Sequence, residues 1–164
     1  MLVAVACFAA TLATAEPNPV PAFPPAVAER LKGLDPSTAT KLNLNGSSIH
    51  DQDLAVLKPL TQLRKLTLHG TQVSDAGLEH LRPLTQLRDL PLCFMQVTNA
   101  GMKHLEGLTR LQKLGLGCTQ VSDAGLEHLK SLTQLQRVHS CGTKMTKGGE
   151  DALRKHLPKC EFCQ

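Results

Sequence analysis

Leucine recurs through the middle of the chain in a fixed register. Leu66 and Leu68 alternate with polar neighbours, and Val73, Leu78, Leu81, Leu84 and Leu87 follow. The same series returns 24 residues later as Leu90, Leu92, Val97, Met102, Leu105, Leu108 and Leu111. It returns again as Leu114, Leu116, Val121, Leu126, Leu129, Leu132 and Leu135. One step backward gives Leu42, Leu44, Ile49, Leu54, Leu57 and Leu60. One step forward starts at Val138 and keeps Thr143, Met145 and Gly149 before it drifts. No insertion or deletion breaks the register from Leu42 to Gly149, so the chain is a tandem array.

Each unit reads as one supersecondary element. Alternating Leu66-x-Leu68 places two side chains on one face of a short strand. The chain turns through Gly70 and Thr71, and Val73 returns to the core. Ser74 or Asp75 is expected to cap the amide donors of a following helix. Leu78, Leu81 and Leu84 stand three apart, which suits a short helical or 3₁₀ segment with one buried edge. Pro83 ends it, as Pro59 does one unit earlier. Gly77, Gly101, Gly125 and Gly149 share a column, and close contact between neighbouring coils is the expected reason.

No unit can bury its leucine edge alone. Stacking buries the edges together and pairs the strands into one parallel sheet. Strands pack about 4.8 Å apart and helices roughly 8 to 10 Å, so the stack bends with its sheet on the concave side. The expected fold class is therefore an α/β solenoid of five 24-residue repeats, with a parallel sheet inside the curve and short helices outside. The expected organisation has a signal peptide at 1–15, a Pro-rich linker at 16–25 and an N-terminal cap helix at 26–38. Repeats follow over 39–149 and a C-terminal cap over 150–164. Val27, Leu31 and Leu34 would share a face of the first cap. Ala152, Leu153, Leu157, Pro158 and Cys160-Glu161-Phe162 read as a last helix and a closing strand.

The series Leu63 to Val73, L-x-x-L-x-L-x-x-T-x-V, resembles the leucine-rich repeat. The extension Val73-Ser74-Asp75-Ala76-Gly77-Leu78 resembles the variant found in secreted bacterial repeat proteins, and is similar to repeats of F-box leucine-rich substrate receptors. The resemblance covers about residues 39 to 164. It implies a leucine-rich repeat solenoid, a horseshoe segment that binds another macromolecule and catalyses no reaction. Thr71, Thr119 and Thr143 stand where many such proteins carry Asn, and Met95 departs further. No F-box precedes the repeats.

The amino terminus changes the expected location. Residues 2–15 are apolar, rich in small residues and uncharged, and end in Ala13-Thr14-Ala15, an A-x-A cleavage pattern. This implies a secreted, periplasmic or cell-envelope protein. No basic residue precedes the apolar stretch, so a start further upstream is the alternative, and a non-functional signal would leave the protein cytoplasmic. Cys7 follows Ala4-Val5-Ala6, which loosely resembles a lipoprotein box set too near the start. Pro17, Pro19, Pro21, Pro24 and Pro25 make a stiff extended linker.

Composition narrows the chemistry. Aromatic residues are 2%, with no Trp or Tyr, which argues against stacking platforms for single-stranded nucleic acid and against aromatic sugar shelves. The formal charge of +4 does not demand a polyanion. No apolar run reaches the length of a membrane span. No nucleic-acid partner, cofactor, metal or catalytic residue is expected, and a monomer is.

In the resemblance the concave face is the common binding surface, and a protein ligand is the expected partner. Residues flanking the buried leucines form three columns there. The first is Lys41, Lys65, Asp89, Lys113 and Arg137, the second Asn43, Thr67, Pro91, Gly115 and His139, and the third Asn45, His69, Cys93, Gly117 and Cys141. The basic first column fits an acidic partner surface, with an ordinary solvated face as the alternative. Pro91 removes a ladder donor. Phe94 stands where other repeats have Gly70, Cys118 and Gly142. It is either an exposed hot spot or folded against Met95.

His80, His104 and His128 form a column explained by duplication rather than by metal. Asp75 and Asp123 are two coils apart and make no catalytic pair. Six cysteines are present, five after signal removal, and an odd number cannot all pair. Cys160 and Cys163 are either a buried thiol plus a terminal one or, after export, a disulfide. Two other functions stay open: substrate recognition in a ubiquitin-ligase-like complex, and a CxxC redox or metal protein.

Overall fold

The computed structural model describes residues 25–46 and 48–163. The expected signal peptide and nearly all of the Pro-rich stretch lie outside the described residues. Six three-residue strands run parallel in chain order: β1 (Lys41–Asn43), β2 (Lys65–Thr67), β3 (Asp89–Pro91), β4 (Lys113–Gly115), β5 (Arg137–His139) and β6 (Glu161–Cys163). Lys41 pairs with Lys65, Lys65 with Asp89, Asp89 with Lys113, Lys113 with Arg137 and Arg137 with Glu161. The 24-residue period is thus the sheet register itself. Four of the five seams pair three residues. The β2–β3 seam pairs only Lys65 with Asp89, because Pro91 has no amide hydrogen to give.

The other face carries short helices. A 3₁₀ segment, η1 (Asp51–Leu57), serves the first unit. Single α-turns running into 3₁₀ turns serve the next three: α2 (Asp75–Leu78) into η2 (Glu79–Leu81), α3 (Asn99–Met102) into η3 (Lys103–Leu105), and α4 (Asp123–Leu126) into η4 (Glu127–Leu129). Leu84 N–H donates to Leu81 O at 2.9 Å and Leu87 N–H to Leu84 O at 3.0 Å, so the three-residue spacing continues as turns up to β3. This keeps Leu78, Leu81, Leu84 and Leu87 on one line, all fully buried. Each such side chain contributes about 1.5–3 kcal/mol by leaving water.

The ends close differently. Ahead of β1, α1 (Pro25–Leu31) buries Val27, with Leu31 and Leu34 against the same core. Arg30 Nη1 donates to Asn43 O at 3.0 Å and covers part of the β1 edge. At the far end, α5 (Lys147–His156) buries Leu153, and Leu157 and Cys160 follow it into the core. Ser140 replaces a core leucine and donates to the buried Glu150 carboxylate at 3.1 Å.

The helix starts correct one expectation. Ser74 and Ser122 make no side-chain cap bond to their own helices. The acidic position instead fastens one coil to the next. Asp51 accepts from Ser74 N–H and Ser74 Oγ, both at 2.6 Å. Asp75 accepts from Thr98 N–H at 2.8 Å and from Thr98 Oγ1 at 2.5 Å. Asn99 accepts from Ser122 N–H and donates to Ser122 Oγ, both at 2.8 Å. Asp123 accepts from Thr146 N–H at 2.8 Å and Thr146 Oγ1 at 2.7 Å. The amide of Thr146, then its hydroxyl, holds the Asp123 carboxyl below its ordinary value. Thr98 and Thr146 do accept from helix amides, each at 3.2 Å.

These staples explain the glycine column. A Cβ on Gly77 would stand 2.6 Å from Asp51 Oδ1, and one on Gly125 2.7 Å from Asn99 Oδ1. At Gly101 and Gly149 it would overlap the carboxylates of Asp75 and Asp123. The stapling side chain occupies the space a side chain on the next coil would need.

Candidate binding face

The strand ends turn through one repeated backbone position in the left-handed region. Gly46, Gly70 and Gly142 hold it with φ of 64°, 70° and 70°, while Phe94 and Cys118 hold it with φ of 59° and 55°. Glycine adopts this conformation freely, and a residue with a Cβ pays roughly 1–2 kcal/mol for it. Two adjacent units therefore carry a strained non-glycine residue where the fold asks for glycine. The duplication register shows the substitution, but only the backbone shows its cost.

Phe94 is 61% exposed, the exposed large hydrophobic residue among those described. Its ring meets His69 edge-on, with centroids 5.0 Å apart and planes at 73°. His69 is set by its N–H bond to Asn45 Oδ1 at 2.9 Å. Phe94 does not fold against Met95, which is buried. Met95 fills the core where Thr71 and Thr119 instead give their hydroxyls to Leu68 O at 2.8 Å and Leu116 O at 2.6 Å. Thr143 does the same toward Ser140 O at 2.7 Å. Phe94 and His69 thus straddle the β2–β3 seam that Pro91 leaves short.

Beside Phe94 the sheet loses its side chains. Gly115 and Gly117 are buried, and a Cβ at Gly115 would meet Cys93 Sγ at 2.9 Å and Pro91 Cα at 3.1 Å. The Cys93 thiol leans across this floor. Thr67 Oγ1 donates to Asn43 Oδ1 at 2.9 Å in the second column, and His139 is exposed further along it.

The first column is less basic than its sequence implies. Lys65 Nζ lies 2.7 Å from Asp89 Oδ2, and Arg137 Nη2 3.9 Å from Glu161 Oε2. Glu161, one register step beyond Arg137, belongs to the column and was legible from the spacing. Lys41 and Lys113 remain without an ion pair among the described residues.

Cys160 and Cys163 are not bridged in this structure. All five described cysteines are free thiols. Residues 161–163 are extended, and three residues of strand span about 10 Å, beyond the roughly 7 Å that a bridge tolerates between α-carbons. Burial pushes the Cys160 thiol up to about 11. At mildly alkaline pH it is therefore a poorer nucleophile than an ordinary thiol. Alkylation of the native protein at pH 8 is expected to label exposed Cys118 and Cys141 first and Cys160 only after unfolding. Mass analysis of a time course checks this, and a native protein silent at both Cys160 and Cys163 even in denaturant would restore the bridge.

Among the described residues no three His, Cys, Asp or Glu side chains converge as a metal site, and no helix is long and apolar enough to cross a membrane. In the histidine column, His128 Nδ1 meets Glu106 Oε1 at 2.6 Å. The partly buried His80 is held below its ordinary value, first by desolvation and then by Lys58.

An all-parallel sheet in chain order, a 24-residue register and a leucine spine define the leucine-rich repeat fold. Among solved structures the chain is similar to internalin C2 of Listeria monocytogenes, at 29% identity and a TM-score of 0.64 over 80% of this chain and 53% of that one. The chain thus spans about half the length of that structure. It also shares its fold with a leucine-rich repeat protein of Leptospira interrogans, at 24% identity and a TM-score of 0.53, over 67% of this chain and 27% of that one. No protein-family model and no curated protein matches the sequence.

Proposed function

We propose that this chain is a non-enzymatic protein-binding module, that it is exported, and that it grips its ligand over the strand ends around Phe94. The observation that carries the reading is Phe94 itself, 61% exposed on a backbone with φ of 59° that glycine fills elsewhere. Strain held at a solvent-facing aromatic has no use in packing, and such residues concentrate at ligand contacts. Beside Phe94, Gly115 and Gly117 carry no side chain and only the Cys93 thiol covers them, so a ligand lying there meets a flat floor close to the backbone. His69, Thr67, Pro91, Cys93 and His139 share this face with Phe94, and Lys41 and Lys113 are the unpaired cations of its first column among the described residues. The secreted bacterial repeat subtype and the A-x-A pattern at Ala13–Ala15 support export. The substrate-receptor alternative rests on the repeat subtype alone, and the CxxC alternative loses ground to the burial of Cys160.

The test is affinity capture with the full chain beside a Phe94→Ala/Lys65→Glu/Lys113→Glu variant of matched thermal stability. A ligand retained by the parent and lost by the variant is the expected result. Equal capture by both would move the binding surface elsewhere.

A further inference from the structure

The strand bases and the loops that feed them carry a second surface, which shares Lys41, Lys65 and Lys113 with the concave columns and extends beyond them to Arg88, Arg110 and Lys159, away from Phe94. Three grooves follow one another along the strand bases. The first, about 270 Å³, lies between Lys41 and Lys65. The second, about 390 Å³, is lined by Arg88, Arg110, Gln112, Gln134 and two threonines, with no acidic residue. The third, about 310 Å³, holds Lys113, Arg137 and Lys159 with Glu161.

Seven cations thus line the three grooves, two of them, Lys65 and Arg137, in ion pairs with Asp89 and Glu161, while the whole chain carries only +4. The rest of the molecule is slightly acidic, and the staple carboxylates Asp51, Asp75 and Asp123 lie on the opposite side, where strands lead into helices. The duplication is uneven along this edge. Arg64, Arg88, Gln112 and Gln136 occupy one column, Gln62, Gln86, Arg110 and Gln134 the next. Arg88 and Arg110 come from different columns yet line one groove. Arg110 Nη1 donates to the neutral Gln86 amide oxygen, which positions the guanidinium without neutralising it. Arg88, Arg110, Lys113 and Lys159 make no ion pair among the described residues.

From this placement we propose that the strand-base edge docks an extended acidic segment of a polypeptide. The proposal rests on the protein-binding reading and adds the chemistry of the partner. Open, shallow grooves suit an extended chain rather than an enclosed small molecule. Planar guanidinium groups match carboxylates in bidentate geometry, and glutamine amides and threonine hydroxyls supply neutral hydrogen bonds between them. The lining holds no aromatic ring for a base or a sugar face to stack on. Six strands span about 24 Å, the reach of roughly seven extended residues.

The experiment is fluorescence anisotropy of dye-labelled octaglutamate with the full chain across a salt series. Parent protein is expected to bind, with affinity falling as salt rises. Arg88→Ala/Arg110→Ala should weaken binding about tenfold or more, as loss of complementary charge at a contact does. Lys144→Ala/Lys147→Ala removes the same charge from the opposite side and should stay within about twofold. Phe94→Ala should leave octaglutamate binding unchanged, which separates this edge from the rim. Absence of binding by the parent at low salt overturns the proposal. So does equal weakening by both charge pairs, or tighter binding of a sulfated oligosaccharide of matched charge. Loss of captured ligand in the Phe94 variant alongside no octaglutamate binding would retain the rim reading and reject only the acidic segment.

Discussion

Gly101→Ala is expected to destabilise the protein by about 2–4 kcal/mol, combining overpacking with loss of charged hydrogen bonds. Gly101 sits in α3, where alanine would ordinarily gain about 0.5–1 kcal/mol over glycine. The added methyl, however, enters the volume of the Asp75 carboxylate and stands 3.0 Å from Leu78 Cδ1. Asp75 cannot turn aside without releasing Thr98 N–H and Thr98 Oγ1, held at 2.8 and 2.5 Å. The methyl and the staple therefore exclude each other, and the packing loss outweighs the propensity gain. For a chain of this size the melting temperature should fall by about 5–10 °C.

The partner variant gives the argument its edge. Asp75→Ala alone should cost about 1.5–3 kcal/mol for hydrogen bonds to a charged group. In the Asp75→Ala background the carboxylate is gone and only Leu78 Cδ1, at 3.0 Å, still crowds the methyl, so Gly101→Ala should then cost much less than in the parent. A double-mutant cycle by chemical denaturation measures that coupling, expected at about 1–3 kcal/mol. Additive losses would mean that the glycine column answers to some other contact.

Phe94→Gly is expected to separate stability from binding. The ring's contact with His69 contributes about 0.5–1.5 kcal/mol. Against this, glycine relieves a φ of 59° that Gly46, Gly70 and Gly142 occupy without strain in sister units. Net stability should shift by no more than about 1 kcal/mol in either direction. Ligand affinity should fall about 30-fold or more, the loss of a hot-spot aromatic worth about 2 kcal/mol. Thermal melting and titration with the captured ligand check the two arms. A loss of several kcal/mol in stability would make Phe94 a packing residue, and unchanged affinity would remove it from the contact surface.

Much of the fold was legible because repetition removes ambiguity. A single Leu66-x-Leu68 is a weak strand signal, but its recurrence at Leu42, Leu90 and Leu114 fixes strand, direction and register together. Phe94 was legible as a break in a column otherwise made of Gly70, Cys118 and Gly142. Glu161 was equally readable by one more step of the register and tempers the basic column beside Arg137. The Asp75 to Thr98 staple was misread as a cap, because local spacing places Ser74 and Asp75 at a helix start and says nothing of the next coil. The groove joining Arg88 to Arg110 escaped the reading for the same reason, since its residues belong to different columns of different units.

Sequence by itself determined the unit, its period and the line of leucines that must be buried, since hydrophobic burial follows the identity and spacing of residues along one chain. Tertiary structure alone decided how coils are fastened and where charge gathers. Those properties depend on distances between side chains in neighbouring coils, and a carboxylate takes whichever donor stands within hydrogen-bonding reach.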